Sequence, residues 1–388
     1  MRRGRALGIA ALSTGAVVLA ALGAWAIAIG PDAVGRILTH GTTTVWDHLE
    51  YPGRTTQPAP TPRPWPSTAG DEPTVTLDGS VQPVDELLAA HDALALVVVH
   101  DGSVVHEWSS PDHDPGTPSM LFSVSKSVTS LLVGAAVQDG LIGSVDDPVT
   151  RYLPELATRG FDTVTVEDAL RMDTGSSYVE DDNPFGVHVE FNYTSDLESA
   201  ILALSAGDQH RGEFTYRSGD NAVLGLILHR VLAPESITEY LQRRFLDPLG
   251  AGSSGRWSTD RDGGLERTWC CLALTARDLA RFGELVLDDG VVDGTRLVPE
   301  GWLADSFSPA YPPERWPTSL ADSPLTGYGY QWWLAGDDAV VALGKDGQYL
   351  YVDRSRDVVV VRTGTSQGGI GWVDLLAEIA TTVPLGAP

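Results

Sequence analysis

A serine and a lysine three positions apart, Ser123 and Lys126, open an apolar run at helical spacing (Val124, Val128, Leu131, Leu132, Ala135) that stops at Gly140. Ser123 then falls at a helix N-terminus, with Lys126 one turn along the same face. A hydroxyl so placed feels the positive end of the helix dipole and has an amine within reach. Those conditions turn a serine into a nucleophile near neutral pH. Lysine is otherwise scarce: of 26 Lys plus Arg only two are lysines, Lys126 and Lys345. Arginine stays charged at any working pH, whereas a lysine can hold or release a proton. The second lysine stands in Lys345-Asp346-Gly347. A third cluster, Tyr216-Arg217-Ser218-Gly219-Asp220-Asn221, reads as a loop just before a helical run from Ala222. Positive charge nearby favours phenolate, so Tyr216 set between two lysines could take the serine proton and later protonate a leaving group.

Three separated stretches must therefore be brought together, and the patterning indicates what carries them. Ala93–His100 and Val104–Trp108 read as strands joined across Asp101-Gly102, a hairpin signal. From about residue 144 to 289 the periodicity is mainly helical, with Val166–Met172, Leu197–Leu204, Ala222–Leu232, Ile237–Phe245 and Thr275–Leu287 as segments. Ala339–Leu343, Gln348–Val352 and Val358–Arg362 read as consecutive antiparallel strands turning at Asp353–Arg356, and a last helix is expected over Trp372–Thr382. Strands at both ends enclosing a helical middle predict an α/β (α+β) body, an antiparallel sheet flanked by helices, with an inserted helical lobe. The cleft between two such lobes is a natural place for a site.

Upstream, Arg2, Arg3 and Arg5 precede an uncharged apolar run over residues 6–29, long enough to cross a bilayer. This predicts a membrane anchor over 1–31, in preference to a cleaved signal peptide, single-pass through the lipid bilayer, with a cytoplasmic N-terminus and an extracytoplasmic remainder. Residues 32–80 are expected to be a juxtamembrane stretch and a Pro/Thr-rich linker, and 81–388 the folded domain. A net charge of −26 over 388 residues argues against nucleic acid as a partner. The adjacent Cys270 and Cys271 cannot staple distant segments, and read as packed small residues in preference to a vicinal disulfide. No histidine pattern predicts a catalytic metal, and no cofactor is expected.

Ser123-x-x-Lys126, Tyr216-x-Ser218 and Lys345-x-Gly347, in this order, resemble the motifs of the serine β-lactamase and penicillin-binding-protein superfamily. The likeness is nearest to its class C branch, with the related esterases and 6-aminohexanoate-dimer hydrolases, and spans roughly residues 85–385. The resemblance implies a β-lactamase/transpeptidase-like fold and a small-molecule or peptide substrate. It implies that Ser123 forms an acyl-enzyme, with Lys126 and Tyr216 handling protons. Ser218 would hold the second-motif position, Lys345 would keep the site electropositive, and the backbone N–H groups of Ser123 and Gln348 would form the oxyanion hole. Two departures stand out. Ser218 replaces the asparagine of β-lactamases of this branch, and Asp346 stands where antibiotic-cleaving members carry Thr or Ser. A carboxylate there repels anionic ligands unless it pairs with Lys345, which favours a neutral or cationic ester or amide over a β-lactam. A D-amino-acid peptidase or β-lactamase acting on cell-wall peptides or β-lactams is the alternative enzyme. A catalytically inert binding or regulatory module of the same fold is the alternative of another class. Glu180-Asp181-Asp182 and Asp112-His113-Asp114 read as solvated loops; Trp332 and Trp333 are candidate cleft walls, with core packing favoured for at least one of them, and Tyr178 and Trp372 are candidate substrate walls.

Overall fold

The structure is a computed structural model that describes residue 23, residues 34–35 and residues 43–383, apart from 69, 182, 184–185, 208–210, 213 and 312–322. The elements that position the site are, in chain order, β1 (Gly53–Thr55), β2 (Ala93–His100), β3 (Ser103–Ser109), β4 (Ser119–Met120) and α1 (Val124–Gln138). They continue with α2 (Val187–Tyr193), α3 (Ser218–Leu232), β5 (Arg256–Ser258), β6 (Leu272–Leu274) and α4 (Ala276–Leu287). The last are β7 (Gly327–Tyr328), β8 (Trp333–Leu334), β9 (Ala339–Gly344), β10 (Gln348–Asp353), β11 (Val358–Gly364) and α5 (Trp372–Thr382).

A seven-stranded antiparallel sheet of order β7-β8-β9-β10-β11-β2-β3 forms the body. Its local causes lie in the sequence. Asp101 and Gly102 both take positive φ, 47° and 66°, the conformation a two-residue hairpin needs. The Asp353 carboxylate accepts from the backbone N–H groups of Ser355 and Arg356 and closes the β10–β11 turn. Side chains alternate across β2: Val97 and Val99 belong to the core shared with α1, α3 and α4, while Leu96 and Val98 belong to the core that contains Trp372, Leu376 and Ile379 of α5. The strand is thus buried on both faces, which explains its near-continuous apolar composition. Pairing of β11 with β2, over Val358↔His100 to Gly364↔Ala93, joins the two ends of the chain. A second sheet of order β1-β5-β6-β4 lies beside the site.

The expected anchor over residues 6–29 is corrected. Among the described residues no helix is long and apolar enough to cross a membrane, which takes about 20 consecutive apolar residues. That run, apart from Gly23, lies outside the described residues. The transmembrane helix, the bilayer partner, the single-pass topology and the extracytoplasmic placement are withdrawn with it. Packing also begins well before Val81. Val45 is only 1% exposed, and its carbonyl accepts from Met120 N–H. The proline-rich stretch lies along the body, where Thr56, Ala59 and Arg63 donate backbone N–H groups to Gly255, Ala251 and Gly250. Proline removes its own donors but leaves neighbouring ones free for such contacts.

On α4, burial and the neighbouring carboxylates of Asp288, Asp357 and Asp101 push the Glu284 carboxyl up to about 7, against the opposing pull of Arg281. The folded state then binds this proton more tightly than the unfolded chain, where glutamate titrates near 4.5. Its contribution is present at low pH and lost as pH rises through about 7. Glu284→Gln is therefore expected to leave the thermal midpoint at pH 5 nearly unchanged and to raise it at pH 8 by about 2 °C. Calorimetric scans at both pH values measure this, and equal shifts at the two would refute the assignment.

Candidate active site

Helix α1 is buried from Val124 to Ala136, its polar residues Ser125, Lys126, Ser127, Thr129 and Ser130 included. It begins abruptly: Phe122 has φ 47°, a sparsely populated conformation for a bulky residue, and Ser123 follows as the helix N-cap. One turn on, the amine of Lys126 donates to Ser123 Oγ at 2.9 Å and to the Trp269 carbonyl at 2.9 Å. Lys126 is 1% exposed, so its chain is held by packing along its whole length. The Ser125 hydroxyl accepts from Leu272 N–H at 3.2 Å, tying the first turn of α1 to β6.

The second motif is placed by a buried carboxylate. Asp220, inside the first turn of α3, accepts from the hydroxyls of Thr174 and Ser176 at 2.6 and 2.9 Å. Burial pushes its carboxyl up to about 6, with these hydrogen bonds and Arg217 pulling the other way. Ser218 starts the helix instead of preceding it. Ser218 Oγ donates to Glu180 Oε1 at 2.7 Å and its N–H to Oε2 at 2.6 Å. Tyr216 stacks on Trp333 with ring centroids 5.5 Å apart, and Lys126 Nζ lies 4.9 Å from the Tyr216 ring centroid. Burial drives the neighbouring hydroxyls of Tyr178 and Tyr328 well above the usual phenol range, so both stay protonated. Helices α1 and α3 are locked together through Gln331, whose carbonyl accepts from Ser127 Oγ at 2.6 Å and whose Oε1 accepts from Asn221 at 3.0 Å.

The third motif forms the turn between β9 and β10. Gly344 packs its α-carbon against the Leu121 carbonyl, two residues before Ser123, and a Cβ there would collide with that oxygen. The turn then passes through Asp346 at φ 61° and Gly347 at φ 82° into Gln348, which is fully buried. Arg362 supports it from below, donating to the Gly347 carbonyl at 2.7 Å, and burial lowers its guanidinium to about 10. Lys345 points outward: its amine lies 5.4 Å from the Phe122 ring centroid, donates to the Thr43 carbonyl at 2.9 Å and sits 3.9 Å from the Asp346 carboxylate. Burial raises the Asp346 carboxyl, and Lys345 opposes the rise. Gly344→Ala is expected to lower kcat for a short acyl ester by roughly 10²-fold, because the collision is with backbone and displaces β9 from α1. Steady-state kinetics on folded protein check this; an unchanged kcat would show that the approach is dispensable.

The structure thus brings Ser123, Lys126 and Tyr216 to one place, with Ser218 and Gln348 on the bordering elements. Lys345 is not brought to Lys126 and Tyr216; its amine lies over the Phe122 ring and is held by the Thr43 carbonyl. Glu180 is the main residue the sequence reading passed over. Read as a solvated acidic loop, it grips Ser218, and nothing in its spacing marks it. Trp269 and Arg362 are likewise invisible to motif reading because they act through a backbone carbonyl and a buried turn. Of the candidate walls, Trp333 flanks Tyr216, whereas Trp332, Tyr178 and Trp372 are 1%, 2% and 1% exposed and belong to the packed interior. The expectation for Cys270 and Cys271 is also corrected: they form a vicinal disulfide. Among the described residues, no group of three or more His, Cys, Asp or Glu could hold a metal.

The family described as Beta-lactamase matches residues 84–374. A 6-aminohexanoate-dimer hydrolase of Paenarthrobacter ureafaciens is 31% identical over 315 residues, covering 75% of this chain and 78% of the relative. Among solved structures, one assigned as a 6-aminohexanoate-dimer hydrolase from Bacillus anthracis superposes with a TM-score of 0.72 at 21% identity, over 87% of this chain and 94% of that one. A penicillin-binding-protein homologue from Caulobacter crescentus gives 0.55 at 19% identity, over 74% and 91%. At these identities the two structures establish likeness of fold.

Proposed function

We propose, from the premise that this chain belongs to the beta-lactamase family and is a serine hydrolase of that superfamily, that it cleaves an ester or amide through an acyl-enzyme on Ser123. The observation that carries this reading is the 2.9 Å hydrogen bond from the buried Lys126 amine to Ser123 Oγ. In the proposed sequence Ser123 Oγ attacks the substrate carbonyl carbon and its proton passes to the Lys126–Tyr216 pair. The backbone N–H groups of Ser123 and Gln348 receive the oxyanion, a contribution of about 10²–10³ in rate per donor. The pair then protonates the leaving alcohol or amine, and water, activated by the same groups, releases the acid. Ser218, Lys345, Asp346 and Gly347 border the acyl site.

Charge around the cleft bears on the substrate. Glu180 engages the Ser218 hydroxyl and presents a carboxylate to an anionic ligand, whereas Asp346 in the β9–β10 turn has Lys345 3.9 Å away, so the repulsion rests on Glu180. We therefore favour a neutral or cationic ester or amide. The relative from Paenarthrobacter ureafaciens is named for the 6-aminohexanoate dimer, which belongs in any substrate panel. Mass spectrometry of the intact protein after incubation with short acyl esters, linear amides, D-Ala-D-Ala peptides and a penicillin tests the reading. An ester- or amide-derived adduct on Ser123 is expected. Adducts only from the peptide or penicillin would transfer the assignment to a peptidase or β-lactamase, and no adduct from any of them would leave an inert module.

A further inference from the structure

We infer that the vicinal disulfide Cys270–Cys271 is a thiol–disulfide exchange site for a small dithiol reductant, and that its oxidation state sets the position of Lys126. The inference rests on the Ser123–Lys126 reading of the catalytic site. The bond closes a small ring through the peptide that the two cysteines share. Both sides of that ring are tied to the catalytic helix. Immediately before it, the Trp269 carbonyl accepts from Lys126 Nζ at 2.9 Å. Immediately after it, Leu272 donates its N–H to Ser125 Oγ at 3.2 Å and accepts from Leu121 N–H at 2.8 Å. The segment 269–272 therefore holds the residues on both sides of Ser123, and the disulfide lies at its centre.

The backbone there is not one that free cysteines would choose. Cys271 has φ 74°, in the left-handed region that favours glycine, and only its bond to Cys270 covalently restrains it. The Cys270 carbonyl accepts from the Trp257 indole at 3.1 Å and the Cys271 carbonyl from Ser258 N–H at 3.0 Å, so β5 anchors the outer side of the turn. Relaxation on loss of the bond is thereby directed inward, toward Trp269 and Lys126. Each cysteine is 8% exposed, which leaves an edge for a small reductant. Trp269 is itself braced through its indole N–H by Asn192 at 3.1 Å, and the Asn192 amide donates to His188 Nε2 at 3.0 Å.

In the exchange, one thiolate of the dithiol attacks a cysteine sulfur, the S–S bond breaks, and a mixed disulfide forms with the released cysteine taking up a proton. The second thiolate then displaces the other cysteine, which is protonated in turn. Two electrons and two protons have passed to the cysteine pair, and the reductant leaves as its cyclic disulfide. With the ring open, Cys271 relaxes from positive φ, the Trp269 carbonyl moves, and the Lys126 amine loses one of its two acceptors.

The test uses the intact chain, dithiothreitol as reductant, and an aryl ester as substrate, with native intact-mass measurement to confirm a gain of two hydrogens. Reduction is expected to lower kcat at least tenfold with a smaller change in KM, and reoxidation to restore it. The paired variant Cys270→Ala/Cys271→Gly, in which glycine accepts the left-handed conformation without the bond, is expected to respond to neither treatment. Equal kcat in confirmed oxidised and reduced protein overturns the inference, as does an equal response in the paired variant. A disulfide that yields to dithiothreitol only when the protein unfolds overturns it as well. Failure of the oxidised protein to acylate on Ser123 removes the catalytic reading, and this coupling falls with it.

Discussion

Ser123→Ala leaves a folded protein that neither forms an acyl adduct nor turns over substrate, with kcat reduced by roughly 10⁴-fold or more. The magnitude follows from the loss of the only group that forms the covalent intermediate; binding and backbone donors alone sustain little rate. The structure adds a control. Ser123 is the N-cap of α1, yet its side chain makes no capping hydrogen bond to the helix. A capping serine lost to alanine costs about 1 kcal/mol, whereas this one should leave the unfolding free energy measured in urea within about 0.5 kcal/mol of wild type. Activity and stability thus separate. Hydrolysis within tenfold of wild type in the purified variant would place the nucleophile elsewhere.

Lys126→Met is expected to reduce acylation by about 10³-fold while leaving the protein as stable as wild type or more so. The amine is 1% exposed and has two acceptors, Ser123 Oγ and the Trp269 carbonyl. Removing a positioned proton carrier costs about 10²–10⁴ in rate. Methionine fills nearly the same length of channel and removes the cost of desolvating an amine. Against that gain stands one unpaired buried carbonyl at Trp269, a loss of about 1 kcal/mol. A residue kept at a cost to stability is the signature of function. Stopped-flow acylation and urea unfolding on the same preparation decide the matter. A variant that acylates normally, or one that loses more than about 3 kcal/mol of stability, would recast Lys126 as structural.

Much of this was legible before any coordinates. The β2–β3 hairpin, the three C-terminal strands, α5 and α1 each announce themselves by local rules of periodicity and turn chemistry. Such rules are written in neighbouring residues and need no partner to be read. The same holds for the Ser123–Lys126 pair, since one turn of helix fixes their approach whatever surrounds it. Tyr216 and the Lys345–Gln348 turn could be placed only through the order of motifs, because their approach to Ser123 spans long separations in the chain.

What the residues alone could not decide was every relation made by packing. Glu180 and Asp112-His113-Asp114 look alike as acidic loops, but only Glu180 faces a buried hydroxyl, that of Ser218. The apolar run at 6–29 satisfied a length criterion, and length is no statement about structure. Cys270 and Cys271 form a disulfide with Cys271 at positive φ, a backbone conformation that adjacency in the sequence does not announce. Gly344 is an ordinary glycine in sequence and becomes an obligatory one only where Leu121 crosses it. Sequence determined the elements and the chemical groups they carry. Tertiary packing determined which of those groups meet, because contact between remote segments depends on the shapes and buried hydrogen bonds of everything between them.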